Sequence, residues 1–593
     1  MIVIFKEDSF SSKLRKPMTF KIPRSLMWLE KWSVYGLLIG IVGGISAVVF
    51  SLLVSTIESL FILQLINSAT PGFPITTIHY LTPLVVALGG LISGIIVYTF
   101  APEAEGHGTD AVISSVHLLW GKIRRRVPII KIISSAITIG TGGSAGKEGP
   151  IAQVGAGFAS WLADTLNLSD EDRRTMVVCG VAAGIAAIFR APLGAAIFAI
   201  EVLYRRDMEI SALVPAVISS IVAYSVFVSL MGSTRVFYVP TYKLPSFYIL
   251  PLYVLLGVIL GVIALIYVKI FYGMRDSIFK RLSGPKPLAP TLGGLFTGLL
   301  ALLYPQILGP GYEWIQHAIL GDLDPYLMIV LAFAKILATS FTIASGGSGG
   351  VFAPSLFIGA MLSGALGQLL HAVLPEIDPT SFIIVGMAAF FAGAAKVPLA
   401  SILMVAEMSG SYELLVPAIV TSVVSYTISG RWTIYENQVR SRIESLSHLS
   451  EVSLSILHNI KVKDVMTKDV TVVSPKDRAI DVLKLSREDG HSGHPVISNG
   501  KLVGIVTHRD LMKVDPSKLD RVLVEEIMSR NIVATTPEET LDVVIDKMHR
   551  HGVGRLLVVD QECPQKLIGI VTEKDIIHTY EKLIHEHLKP HLK

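Results

Sequence analysis

The stretch that decides the fold is GSAGKEGP, from Gly143 to Pro150. Pro150 suits the first turn of a helix, which the apolar run 151–161 would continue. The preceding glycines let backbone N–H groups approach a ligand at the helix N-terminus, which attracts anions. Glu148 is therefore predicted to occupy or gate an anion site, or else to cap its own helix. A nucleotide phosphate loop is excluded, because Thr141 and Glu148 stand where that loop needs Gly and Ser or Thr.

The same motif recurs later in the chain. Residues 344–354 (ASGGSGGVFAP) repeat residues 140–150 (GTGGSAGKEGP) at an offset of 204. A second block, Gly180 to Glu201, agrees with Gly386 to Glu407 at an offset of 206. Two blocks in the same order predict an internal repeat, parallel or inverted. Repeats with corresponding broken helices are typical of transporters, whose site lies where the halves meet.

Two further glycine-led segments are predicted to begin helices. GHGTD (106–110) ends in Thr109 and Asp110, which we expect to cap the following helix. GGVFAP (349–354) places Pro354 early in an apolar helix. Tyr435 follows the last apolar stretch, and its hydroxyl could donate to the same ion or belong to an interfacial aromatic belt. We therefore expect three helix starts to converge on one anion.

Composition separates a membrane part from a water-soluble part. Of 593 residues, 51% are hydrophobic, and the mean hydropathy is +0.59. Several charge-free stretches are long enough to cross a bilayer as helices. They include 32–57, 59–102, 210–234 and 244–268. The chain has 51 basic and 47 acidic residues, and roughly 32% of positions 461–593 are charged, which predicts a soluble C-terminal part.

Other classes of protein are disfavoured by the same composition. The two cysteines, Cys179 and Cys563, are too few for a disulfide framework. A net charge of +4 gives no concentrated basic surface for binding nucleic acid. The sequence shows no pairing of a nucleophile with a base that would indicate an enzyme. His585, His587 and His591 suggest a metal site, but a solvated tail is the preferred interpretation. The N-terminus carries basic residues before the first apolar stretch, so we expect a retained cytoplasmic tail. They include Lys6, Lys13, Arg15, Lys16, Lys21 and Arg24.

Together the motifs resemble the signature set of the CLC family of chloride channels and chloride/proton exchangers. GHGTD, GSAGKEGP, GGVFAP and Tyr435 in RWTIYENQ carry the resemblance over about residues 30–440. It implies a polytopic all-α membrane domain with two inverted-topology halves, a homodimer, one anion pathway per subunit, and Glu148 as the external gate. The implied anion-binding residues are His107, Gly108, Gly146, Lys147, Gly149, Val351, Phe352, Ala353 and Tyr435.

Three positions depart from the family pattern or bear on its mechanism. His107 stands where many members have serine, and it offers an imidazole N–H or only its backbone. Val202 follows Glu201 where exchangers often carry a second, proton-transferring glutamate. Valine cannot carry a proton, which favours a voltage-gated-type chloride channel; the alternative is a chloride/proton antiporter with another proton route. Glu201 matches Glu407 in the repeat, which favours a structural pairing role for it.

The C-terminal part repeats on a shorter period. DVMTKDVTVVSP (464–475) matches EIMSRNIVATTP (526–537), and each unit reads as βαββα. The similar GIVT elements, followed by Asp510 and Asp575, resemble a pair of CBS domains over about 459–582. The resemblance implies an adenine nucleotide against 489–495. The residues that would hold it are Thr507, Asp510, Thr572 and Asp575. Alternatively, these Asp residues cap helices and the pair binds nothing.

These interpretations give a complete expectation for the chain. The predicted segments are a cytoplasmic tail 1–30, a membrane domain 31–440, a linker 441–458, CBS domains 459–515 and 521–582, and a tail 583–593. The expected partners are chloride or a similar anion, protons, a second copy of the chain and the lipid bilayer of the plasma or cell inner membrane. No cofactor is required beyond the nucleotide, and both termini are expected in the cytoplasm. A CBS-regulated magnesium transporter is disfavoured, because too few acids lie in apolar sequence.

Overall fold

The computed structural model describes residues 24–65, 80–242, 247–282, 284–445, 447, 457–458 and 460–579. The chain forms two compact units, Met1–Arg442 and Ile443–Lys593. This division lies two residues after the predicted end of the membrane domain. Most of the predicted linker, the first 23 residues of the N-terminal tail and the C-terminal histidines lie outside the described residues.

The described part of the first unit is helical. Its α-helices are α1 Arg24–Glu58, α2 Thr82–Phe100, α3 Thr109–Leu118, α4 Val127–Gly140, α5 Glu148–Thr165, α6 Asp170–Phe189, α7 Pro192–Glu201, α8 Leu213–Met231, α9 Leu250–Ser277, α10 Leu288–Ala301, α11 Tyr312–Leu320, α12 Pro325–Ala344, α13 Phe352–His371, α14 Pro379–Ala395, α15 Pro398–Ser409 and α16 Leu415–Ile428. Six helical segments in the described residues are long and apolar enough to cross a membrane. Four of them overlap the predicted charge-free stretches. Within the stretch 59–102, residues 66–79 lie outside the described residues.

The predicted repeat is visible in the order of the helices. Helices α4 to α8 correspond in sequence to α12 to α16, with the GGS motifs between the first two helices of each set. Helix α6 ends at Phe189, and Arg190 follows in the left-handed conformation with φ 55°. Helix α14 ends at Ala395, and Lys396 follows with φ 61°. Each chain reversal then leads into a proline-initiated helix, α7 or α15.

Glycines bring the central helices of each half into backbone contact. A Cβ added at Gly155 of α5 would lie 2.1 Å from the carbonyl oxygen of Gly180 in α6. A Cβ at Gly359 of α13 would lie 2.5 Å from the carbonyl oxygen of Gly386 in α14. Small residues at such contacts are how helices associate closely in lipid. These four helices are largely buried and form the centre of the unit. The GGS loops lead directly into two of them, α5 and α13.

The second unit contains two related repeats, and the predicted leading strand is formed in the second repeat but not in the first. Its elements are α17 Ala479–Glu488, β1 Gly493–Ser498, β2 Lys501–Thr507, α18 His508–Leu511, α19 Val524–Ile527, β3 Ala534–Thr535, α20 Leu541–His551, β4 Arg555–Val559 and β5 Leu567–Thr572. Strand β3 pairs parallel with β4, and β4 pairs antiparallel with β5. In the first repeat, β1 and β2 are antiparallel, and the leading strand is reduced to a parallel bridge between Val473 and Val496.

Candidate anion-binding site

The two GGS loops meet directly. Gly146 and Gly350 form an antiparallel bridge in which each N–H donates to the other's carbonyl oxygen at 2.7 Å. Such reciprocal pairing is expected of two repeats related by a local twofold axis. The bridge lies just before the starts of α5 and α13, so it fixes these two helix N-termini beside each other.

The start of α3 joins the same place. A Cβ at Gly108 would lie 2.6 Å from the carbonyl oxygen of Gly149, and one at Gly149 would lie 1.9 Å from that of His107. The Cβ at Gly149 would also lie 3.2 Å from the Cα of Gly350. The three predicted helix starts therefore converge, and only glycine allows their backbones to approach this closely.

Two buried lysines hold the segments that precede α3 and α11. Lys131 and Lys335 correspond at the offset of 204, and both are 0% exposed. Lys131 Nζ donates to Ala104 O at 2.8 Å and Gly106 O at 2.7 Å; Lys335 Nζ donates to Ile307 O at 2.8 Å and Gly309 O at 2.7 Å. Carbonyl acceptors offset the cost of burying an ammonium group. Each lysine therefore fixes a loop that starts a helix.

A fourth glycine-led helix start was missed by sequence reasoning. GPGY (309–312) precedes α11, and Gly309 and Gly311 adopt φ 58° and 85°. Gly106 and Gly108 adopt the matching angles of 68° and 78° before α3. An offset of 203 relates the two segments, and this offset was the signal that could have found the second. Tyr312 therefore corresponds to Thr109.

Glu148 lies at the centre of these elements. It is the first residue of α5 and is 1% exposed. Its Oε1 accepts a hydrogen bond from the hydroxyl of Tyr312. Its Oε2 has no hydrogen-bond partner among the described residues, and the backbone N–H of Ala353, at the start of α13, is close enough to act on the carboxyl group. A Cβ at Gly146 would lie 1.9 Å from Oε2. The carboxyl group thus occupies the space predicted for an anion.

His107 and Tyr435 lie together on another side of the site. Their ring centroids are 5.4 Å apart, and Tyr435 is 1% exposed. His107 is 8% exposed, and its Nδ1 has no hydrogen-bond partner among the described residues. The Tyr435 hydroxyl is close enough to the Thr109 side chain to interact with it. An imidazole and a phenol can both donate to an anion without adding a fixed charge.

The other predicted anion-site residues are placed differently. Val351, Phe352 and Ala353 are buried at the start of α13. The Phe352 ring packs against aromatic rings, with centroids 4.4 Å from Phe189 and 4.2 Å from Phe391. Lys147 precedes α5 and interacts electrostatically with both Glu58 and Glu148. Lys147 therefore contributes positive potential beside the gate candidate.

The expectation that Thr109 and Asp110 cap α3 is wrong. The helix begins at Thr109, Gly108 takes the N-cap position, and no side chain caps it. Asp110 instead accepts from Asn437, at 2.8 Å from the backbone N to Oδ1 and 2.5 Å from Nδ2 to Oδ2. Asp110 thus fixes the loop that carries Tyr435.

Glu201 and Glu407 form reciprocal contacts between the repeats. The Glu201 carboxylate, at the end of α7, accepts from the backbone N–H groups of Leu399 and Ala400 at 3.2 and 2.7 Å, at the start of α15. Glu407 of α15 accepts from those of Leu193 and Gly194 at 3.2 and 2.7 Å, at the start of α7. Each glutamate therefore caps the other half's helix, which supports the structural pairing role.

Val202 is packed into the interior. It is 1% exposed, and its carbonyl oxygen accepts from Gln438 Nε2 at 2.8 Å. Gln438 also donates to Ala395 O at 3.0 Å and accepts from Thr433 Oγ1 at 2.7 Å. The position of the expected second acid is therefore filled by an aliphatic side chain.

The second unit contains a cavity of about 440 Å³. It is lined by 490–494, which belong to the turn predicted to lie against an adenine, together with Arg555, Thr572, Lys574 and Asp575. Asp575 Oδ2 accepts from the N–H and hydroxyl of Thr572 at 2.9 and 2.7 Å, which caps the following helical residues. Burial lowers the pKa of Arg555. A mixed-charge cavity beside the predicted turn is compatible with an adenine nucleotide.

Thr507 and Asp510 do not line that cavity. Asp510 Oδ2 accepts from the Thr507 hydroxyl at 2.6 Å and from its N–H at 3.1 Å, in a capping box. Burial opposes ionisation of Asp510, but the hydrogen bonds from Thr507 outweigh it and hold the pKa below its usual value. Of the two predicted residue pairs, one thus faces the cavity and the other is a helix cap.

The described residues contain no group of three or more His, Cys, Asp or Glu side chains arranged to hold a metal ion. Hydrated cations such as Mg²⁺ are bound by several oxygen ligands. The magnesium-transporter alternative therefore gains no support from this part of the chain.

Comparison with known proteins agrees with the geometry. A family model described as voltage gated chloride channel matches residues 89–430, and a CBS domain model matches 462–517 and 524–582. The H(+)/Cl(-) exchange transporter ClcA of Vibrio parahaemolyticus is 32% identical over 346 residues, 57% of this chain and 74% of that protein. The chloride channel protein CLC-f of Arabidopsis thaliana is 29% identical over 504 residues, 73% of this chain and 64% of that protein.

Solved structures are similar to this fold. A slow cyanobacterial Cl⁻/H⁺ antiporter superimposes with a TM-score of 0.61 at 24% identity, covering 68% of this chain and 96% of that one. A eukaryotic CLC transporter superimposes with a TM-score of 0.57 at 20% identity, covering 93% and 98%. These likenesses confirm the predicted fold class.

Proposed function

Because the chain belongs to the CLC family of voltage gated chloride channels and is a CLC-type chloride transport protein, we propose that Glu148 is the gate of its anion pathway. The carrying observation is that this carboxyl group lies between the N-termini of α5 and α13. An ionised carboxylate there excludes an anion by occupying its place. A protonated carboxyl group carries no charge and is attracted less strongly to the helix N-termini, so it can leave the site.

Flux of purified protein in liposomes tests this proposal. Glu148→Ala should retain chloride flux and lose its dependence on pH, because the variant has no carboxyl to protonate. Glu376→Ala, at an exposed position, is the control and should keep the wild-type profile. A pH dependence that persists in Glu148→Ala would remove Glu148 from this role.

For the mode of transport we propose proton-coupled exchange. The support is the similarity to curated H(+)/Cl(-) exchange transporters, of which ClcA of Vibrio parahaemolyticus is one. The second candidate, a passive channel, is favoured by Val202, which cannot transfer a proton. A reversal potential that follows the pH gradient at fixed chloride supports exchange. A reversal potential that ignores the gradient supports the channel.

For the second unit we propose regulation by an adenine nucleotide at the cavity that Thr572 and Asp575 line. The support is the cavity itself and its side chains of both charges. Calorimetry of the full-length protein with ATP, ADP and AMP should show binding that Asp575→Ala weakens. Asp510→Ala is the matched control, since Asp510 caps a helix outside the cavity. Absence of heat with all three nucleotides would favour a purely structural role.

We also propose the assembly and location that the family resemblance implies. The protein would be a homodimer in the plasma or cell inner membrane, with both termini in the cytoplasm, acting as a transporter and not as an enzyme. Light scattering of the detergent-solubilised protein measures the oligomeric state. Labelling of cysteines introduced near the chain ends measures their side of the membrane.

A further inference from the structure

Tyr312 is a polar group at the gate that the sequence motifs did not indicate. Its hydroxyl donates to Glu148 Oε1, and it lies at the first position of α11. Its ring also packs against Phe237 at 6.0 Å between centroids. A donor aimed at a carboxylate favours the ionised form, since charge-assisted hydrogen bonds are stronger than neutral ones.

The position of Tyr312 is fixed by the fold. Lys335 holds the carbonyls of Ile307 and Gly309, and a Cβ at Gly311 would lie 2.6 Å from the ring of Phe357. The Lys335 ammonium also lies over the Phe357 ring, 5.0 Å from its centroid, so one buried cation–aromatic pair supports the loop. A hydroxyl mounted in this way keeps its direction toward Glu148 with little loss of conformational freedom.

The repeat provides an independent observation. Thr109, which corresponds to Tyr312, interacts with Tyr435, and its loop is held by Lys131 in the same manner. Each half of the protein thus uses a lysine-held Gly-x-Gly loop to place a hydroxyl beside a side chain of the anion site. This similarity argues against an accidental contact between Tyr312 and Glu148.

We propose that Tyr312 is a positioning residue that holds the ionised Glu148 gate in the anion site and so sets the pH at which the gate opens. The inference rests on the proposed gating role of Glu148. The other charged or titratable groups around Glu148 are Lys147 on its own segment and Tyr435. Farther out, Lys147 interacts with Glu58, and Glu58 interacts with Glu313. The side-chain hydrogen bond to the Glu148 carboxyl group comes from the hydroxyl of Tyr312.

The test is the pH profile of chloride flux in liposomes containing the full-length protein. Tyr312→Phe removes the donor and keeps the ring, so half-maximal proton-activated flux should move to higher pH by about one unit. The matched control is Tyr253→Phe, which removes another buried phenol, bonded to Ser381 Oγ at 2.8 Å. This control should leave the midpoint unchanged.

Two further variants keep the inference and the gating proposal distinguishable. In Glu148→Ala, loss of pH dependence supports the gate, and its persistence refutes the gating proposal itself. If that variant loses pH dependence but Tyr312→Phe keeps the wild-type midpoint, the gate stands and the role of Tyr312 is refuted. A change in flux that Tyr312→Phe still causes in the Glu148→Ala background also refutes it, because the tyrosine would then act elsewhere.

A substitution that preserves the fold tests the opposite direction. Replacing Tyr312 by a ring-fluorinated tyrosine makes the hydroxyl a stronger donor with almost the same shape. The midpoint should then move to lower pH. A fluorinated protein whose midpoint does not move, or moves to higher pH, would overturn the inference even if Tyr312→Phe failed to fold.

Discussion

Substitution of Glu201 by glutamine separates a structural role from a proton-transfer role. The carboxylate accepts from two backbone N–H groups at the start of α15 and is 4% exposed. Glutamine keeps one acceptor oxygen but turns an NH₂ group toward the second N–H. A buried donor left unsatisfied costs about 1–3 kcal/mol, and the lost charge at a helix N-terminus costs about 0.3–1 kcal/mol. We therefore expect destabilisation of about 2–3 kcal/mol.

Glu407→Gln provides an internal comparison of the same contact. Its geometry is nearly identical, with distances of 3.2 and 2.7 Å, but its side chain is half-buried, so water can replace part of the lost interaction. We expect a loss of about 1 kcal/mol, less than for Glu201→Gln. Exposed Glu376→Gln should be neutral.

The assay is thermal unfolding of each detergent-solubilised variant, followed by chloride and proton flux per folded protein. A structural role predicts lower unfolding temperatures in the order Glu201→Gln, Glu407→Gln, Glu376→Gln, with the ratio of proton to chloride flux unchanged. If Glu201→Gln melts like the wild type but loses proton flux, the reasoning from helix capping is refuted.

Three other predictions follow from the geometry. Lys335→Met removes the donor that fixes the loop before α11, so the midpoint of flux should move to higher pH, as for Tyr312→Phe, together with a lower unfolding temperature. Gly155→Ala would place a methyl group against Gly180 O, and fluorescence-detected size exclusion should show little folded protein, whereas Gly273→Ala, in open space on α9, should fold normally. Burial lowers the pKa of the His494 imidazole in the folded protein, and Asp489 opposes this shift. Because the unfolded chain then binds a proton that the folded chain does not, the 443–593 fragment should become less stable below about pH 6.5. Thermal melting at a series of pH values measures this loss, which His494→Asn should reduce.

The sequence was sufficient for the parts of the protein that rest on local patterns. Glycine-led helix starts, charge-free stretches and repeat offsets predicted the broken helices and their convergence around Glu148. These features depend on the backbone freedom of glycine and on the spacing of hydrophobic residues. Both can be recognised from short segments of sequence. The CBS repeats were predicted for the same reason.

Contacts between distant segments were harder to predict. Asp110 was expected to cap its own helix, but the structure pairs it with Asn437, 327 residues away. Tyr312 was missed because its motif, GPGY, shares only two glycines with GHGT. The different lining of the cavity by Asp510 and Asp575 also depends on tertiary packing, since both occupy the same local capping motif.

The space around Glu148 has a consequence for natural variation at Gly146. A Cβ there would lie 1.9 Å from Glu148 Oε2, so even alanine would compete with the carboxyl group for the same volume. Such a change would leave the acid and its chemistry intact, but the added methyl group would take the volume in which the carboxyl group lies. A homologue with alanine at this position and glutamate two residues later should therefore hold its carboxyl group in a different position, and inheritance of the glutamate alone does not guarantee the same gating.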